Sequence, residues 1–216
     1  MKWRVRPMGE ISLKADLASP KRNAKNEGSM VMETHIQIQS TPNPNALKFI
    51  LNVPIRTQGN VTFKNAADAQ LVPLAKGLFN IENVREVYFY DNYITVTQDG
   101  NGDWDVLEGK IKSSISENIN AHNPDFILQE LKPAEKILKS NDPEIAKVEA
   151  ILDETIRPAL QMDGGDLQVL GLNGNVLRIN YQGACGSCPS STMGTLKAIE
   201  NLLRDQYNPD LVVEMA

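Results

Sequence analysis

Sulfur is scarce in this chain: cysteine occurs twice in 216 residues, and both copies sit in one short stretch, Cys185-Gly186-Ser187-Cys188. That excludes a disulfide-framed secreted scaffold, which needs several pairs spread along the chain. Histidine is as rare, with His35 and His122 far in sequence from the cysteines. No apolar run approaches the roughly 20 residues that a bilayer-spanning helix needs, so no membrane partner is expected. Positive charge is short as well, with 22 Lys+Arg against 27 Asp+Glu and a net charge of -5. Such a balance does not attract phosphate backbones, and nucleic acid is not expected as a partner. What remains, at 41% hydrophobic and 23% charged residues, is the composition of a soluble globular chain whose partners are proteins.

Charge is unevenly spread. Residues 1–30 carry seven Lys/Arg and three Asp/Glu, whereas residues 141–216 carry five and eleven. The basic head has no hydrophobic periodicity and lacks the apolar core of about 7 to 15 residues that marks a secretory signal. The expectation is a disordered extension over residues 1–33 of a cytoplasmic protein. The alternatives are a mitochondrial presequence, hence the mitochondrial matrix, weakened by Glu10, Asp16 and Glu27, or an upstream start, since Met30 and Met32 stand just before the first patterned segment. A lone CxxC agrees with a reducing compartment in either case.

At 216 residues the chain has room for two domains with separate cores. Apolar and polar residues alternate over Ile36-Gln37-Ile38-Gln39, the signature of a half-buried strand, and run into the turn-rich Ser40-Thr41-Pro42-Asn43-Pro44-Asn45. Leu47 to Val53 reads as a second strand and Asp68 to Phe79 as a short helix with Pro73 near its first turn. Val84 to Tyr90 and Tyr93 to Gln98, split by Asp91-Asn92, give a hairpin. Leu107, Ile111 and Ile115 mark one face of a helix. These pieces form an α+β unit over residues 34–120. Regularity is lost over 121–140, which is read as a linker. Asp142-Pro143 then opens a helix as cap and first residue, with Ile145, Val148, Leu152, Ile156 and Leu160 as its buried stripe. Asp163-Gly164-Gly165-Asp166 stops the helix. A hairpin follows, from Leu167 to Leu172 and from Val176 to Tyr181, then the cysteines, a helix from Pro189 and a short strand at Leu211 to Val213. The expected fold class is therefore α+β: two small α/β domains joined by a linker, the second (141–216) a helix-hairpin-helix-strand unit with CxxC at a helix N-terminus.

Cys188 lies directly before Pro189, so the two thiols stand at a helix entrance, where unpaired N–H groups and partial positive charge favour thiolates. Gly183 and Gly186 allow close backbone approach to sulfur. Two thiolates form a redox pair by themselves but supply half of a tetrahedral zinc site or a cubane iron-sulfur cluster. The residues alone leave cluster carriage, thiol-disulfide exchange and zinc-bridged dimerisation open. Only 28 residues follow Cys188 and no Trp precedes Cys185, which weighs against a thioredoxin-like active site. Asp163 to Asp166 is read as a helix stop rather than a metal loop, Tyr88, Phe89, Tyr90 and Tyr93 as sheet packing, and both histidines as surface residues.

Three segments carry a family resemblance. Gly183-Ala184-Cys185-Gly186-Ser187-Cys188-Pro189-Ser190-Ser191-Thr192 resembles the motif of the NifU-like C-terminal domain of Nfu proteins. Arg157-Pro158-Ala159-Leu160-Gln161-Met162-Asp163-Gly164-Gly165-Asp166 is similar to the same family's helix-end signature, and Thr41-Pro42-Asn43-Pro44-Asn45-Ala46-Leu47-Lys48-Phe49 resembles the N-terminal domain that accompanies it. The resemblance covers roughly residues 34–216. It implies that Cys185 and Cys188, with the same pair from a second copy of the chain, bind a bridging 4Fe-4S cluster, 2Fe-2S being the other four-thiolate form. It also implies an upstream cluster donor, delivery to apo iron-sulfur proteins and no enzymatic step; the first domain, which has no Cys and no acid-base-nucleophile constellation, is read as a recognition or positioning module.

Overall fold

The computed structural model describes residues 34–127, 143–186 and 189–216, with the side chains of 189–192 excepted. The expectations for the extension 1–33, for Asp142 as a cap and for most of the linker lie outside the described residues.

The first domain is a five-stranded antiparallel sheet of order β1-β2-β5-β4-β3, formed by β1 (Ile36–Ser40), β2 (Ala46–Leu51), β3 (Asn60–Phe63), β4 (Val84–Tyr90) and β5 (Tyr93–Gln98). Period-two alternation sends Phe49, Leu51, Val87, Phe89, Ile94 and Val96 to one face, where they form a core with Leu74 and Leu78 of helix α1 (Pro73–Phe79) and Leu107, Ile111 and Ile115 of α2 (Trp104–Asn118). Asp103 starts α2 by accepting from the Asp105 N–H at 3.0 Å. Helix α1 is shorter than the sequence pattern suggests. Val72 is extended (φ -119°, ψ 97°), as steric pressure from the following Pro73 requires, and residues 68–71 are turns instead. The sequence reading passed over β3, whose register sets Phe63 against Val87.

His122 is a correction to the surface reading. Its ring stands edge-on to Phe89 and Phe126, with ring centroids 5.7 Å away in each case, and Nε2 lies 2.7 Å from the Ile55 carbonyl. Burial, the largest influence, holds its pKa below the ordinary histidine value. Phe126, in the segment read as linker, packs on the same core.

Glu86 lies on the other face of β4, and its Oε1 is buried with no hydrogen-bond partner among the described residues. Burial raises its pKa from 4.5 to about 6, against a smaller lowering by Lys64. Between those values the native state holds more protons than the unfolded chain, so stability is lost as pH rises through that window. Glu86→Gln removes the charge, and the expected gain is about 1–2 kcal/mol near neutral pH. Parent and variant should converge below pH 4.5, and urea unfolding at the two pH values tests this.

The second domain is a three-stranded sheet of order β6-β7-β8, in which β6 (Gly165–Asn173) and β7 (Val176–Gly183) form an antiparallel hairpin. Helix α5 (Pro189–Gln206) carries the chain across to β8 (Val212–Met215), which runs parallel to β7. Val148 and Leu152 of α3 (Pro143–Thr155), Leu160 of α4 (Arg157–Met162), and Ile199 and Leu203 of α5 close the core over Leu167, Leu177 and Ile179. The sequence reading drew α3 and α4 as one helix. Pro158 cannot donate to Glu154 and its ring crowds that carbonyl, so the chain breaks at Ile156.

Candidate functional site

The site begins where β7 ends. Gly165 and Gly183 stand opposite each other in the hairpin register, and two strands without side chains at that level approach closely. Gly164 (φ 83°) and Gly183 (φ 60°) occupy the left-handed region that favours glycine. The Ala184 N–H donates to the Gly164 carbonyl at 3.2 Å and the Gly186 N–H to the Gly183 carbonyl at 3.0 Å, winding residues 184–186 into a turn. Cys185 on that turn is half-buried. Its Sγ lies against Gly165, where a Cβ would come within 2.6 Å of the sulfur. The structure thus joins two of the motifs read from sequence, because the helix stop at Asp163 to Asp166 forms the floor under Cys185. Cys188 and Ser187 lie outside the described residues, as do the side chains of Ser190 and Ser191. The helix expected after them is present as α5.

Asp166 fits the reading of its turn as structural. It is 1% exposed, and its carboxylate accepts from Asn60 Nδ2 at 3.0 Å, Gln161 Nε2 at 3.3 Å and its neighbour Leu167 N at 2.7 Å, with Arg157 Nη1 3.7 Å away. Arg157 also pairs with Asp153 at 2.8 Å and with Glu149. Among the described residues no group of three or more His, Cys, Asp or Glu side chains is placed to hold a metal ion.

The residues that sequence reasoning missed come from the first domain. Strand β5 is buried along its whole length, although only alternate residues reach the first core. Lys48, Tyr88, Tyr93 and Thr95 lie on the sheet's other face, which meets the turn at Gly164 and the end of β7. Lys48 is 7% exposed; its Nζ donates to the carbonyls of Gln161 and Met162, at 2.9 and 3.2 Å, and sits 4.1 Å over the Tyr93 ring. A cation there meets the carbonyls at the C-terminal end of α4, where the helix carries partial negative charge. Burial lowers the Lys48 pKa, with Asp163 opposing. Tyr88, Tyr93 and Tyr181 are nearly fully buried. Burial, first in each case, pushes their hydroxyls well above the ordinary phenol range; nearby charge adds to it, from Cys185 on Tyr181 and from Asp166, Tyr90 and Cys185 on Tyr93. The available signal was an outer face of Lys48, Thr95 and Thr97 that lacked the run of charge expected of a solvated one.

Two family models match the two domains in chain order: "Scaffold protein Nfu/NifU N terminal" over residues 36–122 and "NifU-like domain" over residues 148–214. The chain belongs to the Nfu family. The mixed α/β architecture in two domains agrees with that membership. It is 36% identical over 172 residues to the NFU1 iron-sulfur cluster scaffold homolog, mitochondrial, of Drosophila grimshawi, covering 78% of this chain and 57% of that one. It is 36% identical over 170 residues to the human protein of the same name, covering 78% and 66%. This Nfu chain thus spans little more than half of the first of these relatives. Among solved structures it is similar to a NifU-like protein from Saccharomyces cerevisiae, with a TM-score of 0.40 and 24% identity over 45% of this chain and 87% of that one.

Proposed function

We propose that this chain is an iron-sulfur cluster carrier in which Cys185 and Cys188, with the same pair from a second copy, hold a 4Fe-4S cluster received from an upstream donor and passed to apo-proteins. The observation that carries the reading is the placing of Cys185 on a glycine-floored turn, with Cys188, the chain's other cysteine, directly before Pro189 in sequence. The cluster is cargo, and the chain performs no bond-making catalysis. Gly165 lets the backbone lie close against the Cys185 sulfur, and a helix N-terminus favours the thiolate form that iron requires. Neither histidine competes as a ligand beside the cysteines: His122 is engaged in the first core, and His35 lies directly before β1. Residues 34–120 and 141–216 act as the two modules, with 121–140 between them. The thiol-disulfide oxidoreductase reading is not favoured by either family matched. The relatives' names carry "mitochondrial", which supports the matrix alternative over the cytoplasmic expectation.

Anaerobic reconstitution with iron and sulfide analysis and native mass measurement tests the proposal. The expected product is a dimer holding about four iron and four sulfide. A dimer with about two of each makes the cargo 2Fe-2S. Iron and visible absorption at background in a folded chain would refute carriage altogether.

A further inference from the structure

The turn bearing Cys185 is held from outside its own domain. Asn43 Nδ2, from the loop between β1 and β2, donates to the Ala184 carbonyl at 3.0 Å across 141 residues of sequence. Thr95 Oγ1, on β5, donates to the Gly164 carbonyl at 2.7 Å. Both bonds are buried. Ala184 directly precedes Cys185, and Gly164 directly precedes the glycine against which the Cys185 sulfur rests. The two acceptors therefore lie on the two backbone segments that fix the sulfur's position, and the first domain grips both.

The geometry of donor and acceptor limits what else these residues do. Asn43 Oδ1 accepts from Asn45 N at 2.9 Å and so shapes its own loop, which leaves the Nδ2 end for the second domain. Thr97, two residues along the same face of β5, is equally buried but has an Oγ1 with no hydrogen-bond partner among the described residues. Burial of a hydroxyl on this face is thus tolerated without a bond, while the one at Thr95 is aimed at the Gly164 carbonyl. Both acceptors are main-chain carbonyls, so the grip reads the shape of the turn. Opening it takes the Asn43 donor from the Ala184 carbonyl and leaves the Gly164 carbonyl with the Ala184 N–H in place of two donors, and losing buried hydrogen bonds is costly.

We infer that Asn43 and Thr95 are positioning residues for Cys185, and that the outer face of the first sheet is a clamp setting how often the cysteine turn opens. The clamp is independent of what the cysteines bind; its effect on cargo rests on the carrier reading above. It gives the first domain a task that needs no ligand of its own: a turn held shut retains cargo, and a released turn lets incoming thiolates reach it.

The test is the rate of iodoacetamide alkylation of the reduced full chain, with adducts assigned to Cys185 by fragment mass spectrometry. Asn43→Asp keeps the acceptor to Asn45 and loses the donor; Thr95→Val keeps the shape and loses the hydroxyl. Each is expected to raise the Cys185 rate roughly five- to thirty-fold, the factor set by losing one buried hydrogen bond. Thr95→Ser should restore the parent rate, and Thr97→Val should leave it unchanged with the unfolding midpoint as a control. Parent rates in folded Asn43→Asp and Thr95→Val overturn the clamp, as does an equal rise in Thr97→Val, which would report general loosening. Either donor variant suffices should the other not fold. Cluster transfer from reconstituted chains to an apo-acceptor, read in parallel, should quicken in the donor variants. A parent chain that takes up no cluster overturns the carrier reading and leaves the alkylation contrast to judge the clamp alone.

Discussion

Cys185→Ser and Cys188→Ser are each expected to leave a folded chain that holds no stable cluster. In a bridged dimer one substitution removes two of the four thiolates, since both copies carry it. Serine does not replace them, because an alcohol stays protonated where a thiol at a helix entrance ionises. The fold should tolerate the exchange. Cys185 is half-buried at the edge of the second core, where a sulfur-to-oxygen change costs about 1 kcal/mol, the centre of the range for single substitutions. Iron content after anaerobic reconstitution should fall to background while the urea midpoint moves little. Full iron in either variant would contradict the four-cysteine dimer.

The elements that were legible in the sequence are those whose signal is local. Alternation and the Asp91-Asn92 turn place β4 and β5, Leu107, Ile111 and Ile115 place α2, and Pro143 begins α3. The break at Ile156 was also written in the chain: Pro158 stands in the middle of the apolar stripe, and that stripe outweighed it because Leu160 continues the same face. Strand β3 was not legible, since Asn60-Val61-Thr62-Phe63 is too short to show a period and is fixed only by pairing with β4. The surroundings of Cys185 were the least legible. Pattern tells that Thr95 or Lys48 is buried without telling against what, and the partners lie 69 and 113 residues away. The Thr41 to Asn45 loop shows the same gap. Its prolines and asparagines predict a rigid turn, whereas the Asn43 amide contact with Ala184 exists only once both domains are folded.

Gly165→Ala and Gly183→Ala should both damage the site, by different routes. Gly165 has no positive φ, so alanine suits its backbone there. The new Cβ, however, would lie 2.6 Å from both Cys185 Sγ and the Gln182 carbonyl, and 3.0 Å from Cys185 N. The carbonyl belongs to the paired strand and yields little, so the sulfur and its turn must move. Such overpacking costs about 1–3 kcal/mol, and the larger consequence is functional: a cysteine displaced by a few tenths of an ångström or more no longer meets the geometry of a shared cluster. Cluster loading should fall to a small fraction of the parent's, with the second domain still folded. At Gly183 the clash is with the Gly164 carbonyl at 2.6 Å and Tyr88 Cδ1 at 3.0 Å, and the left-handed φ of 60° adds strain. Together these should cost roughly 2–4 kcal/mol and also push the two domains apart at Tyr88. Urea unfolding followed by iron analysis separates the two cases: Gly165→Ala loses iron with a modest shift in midpoint, while Gly183→Ala loses both. A Gly183→Ala chain that unfolds at the parent midpoint and loads cluster normally would mean that the paired glycines are not what seats Cys185.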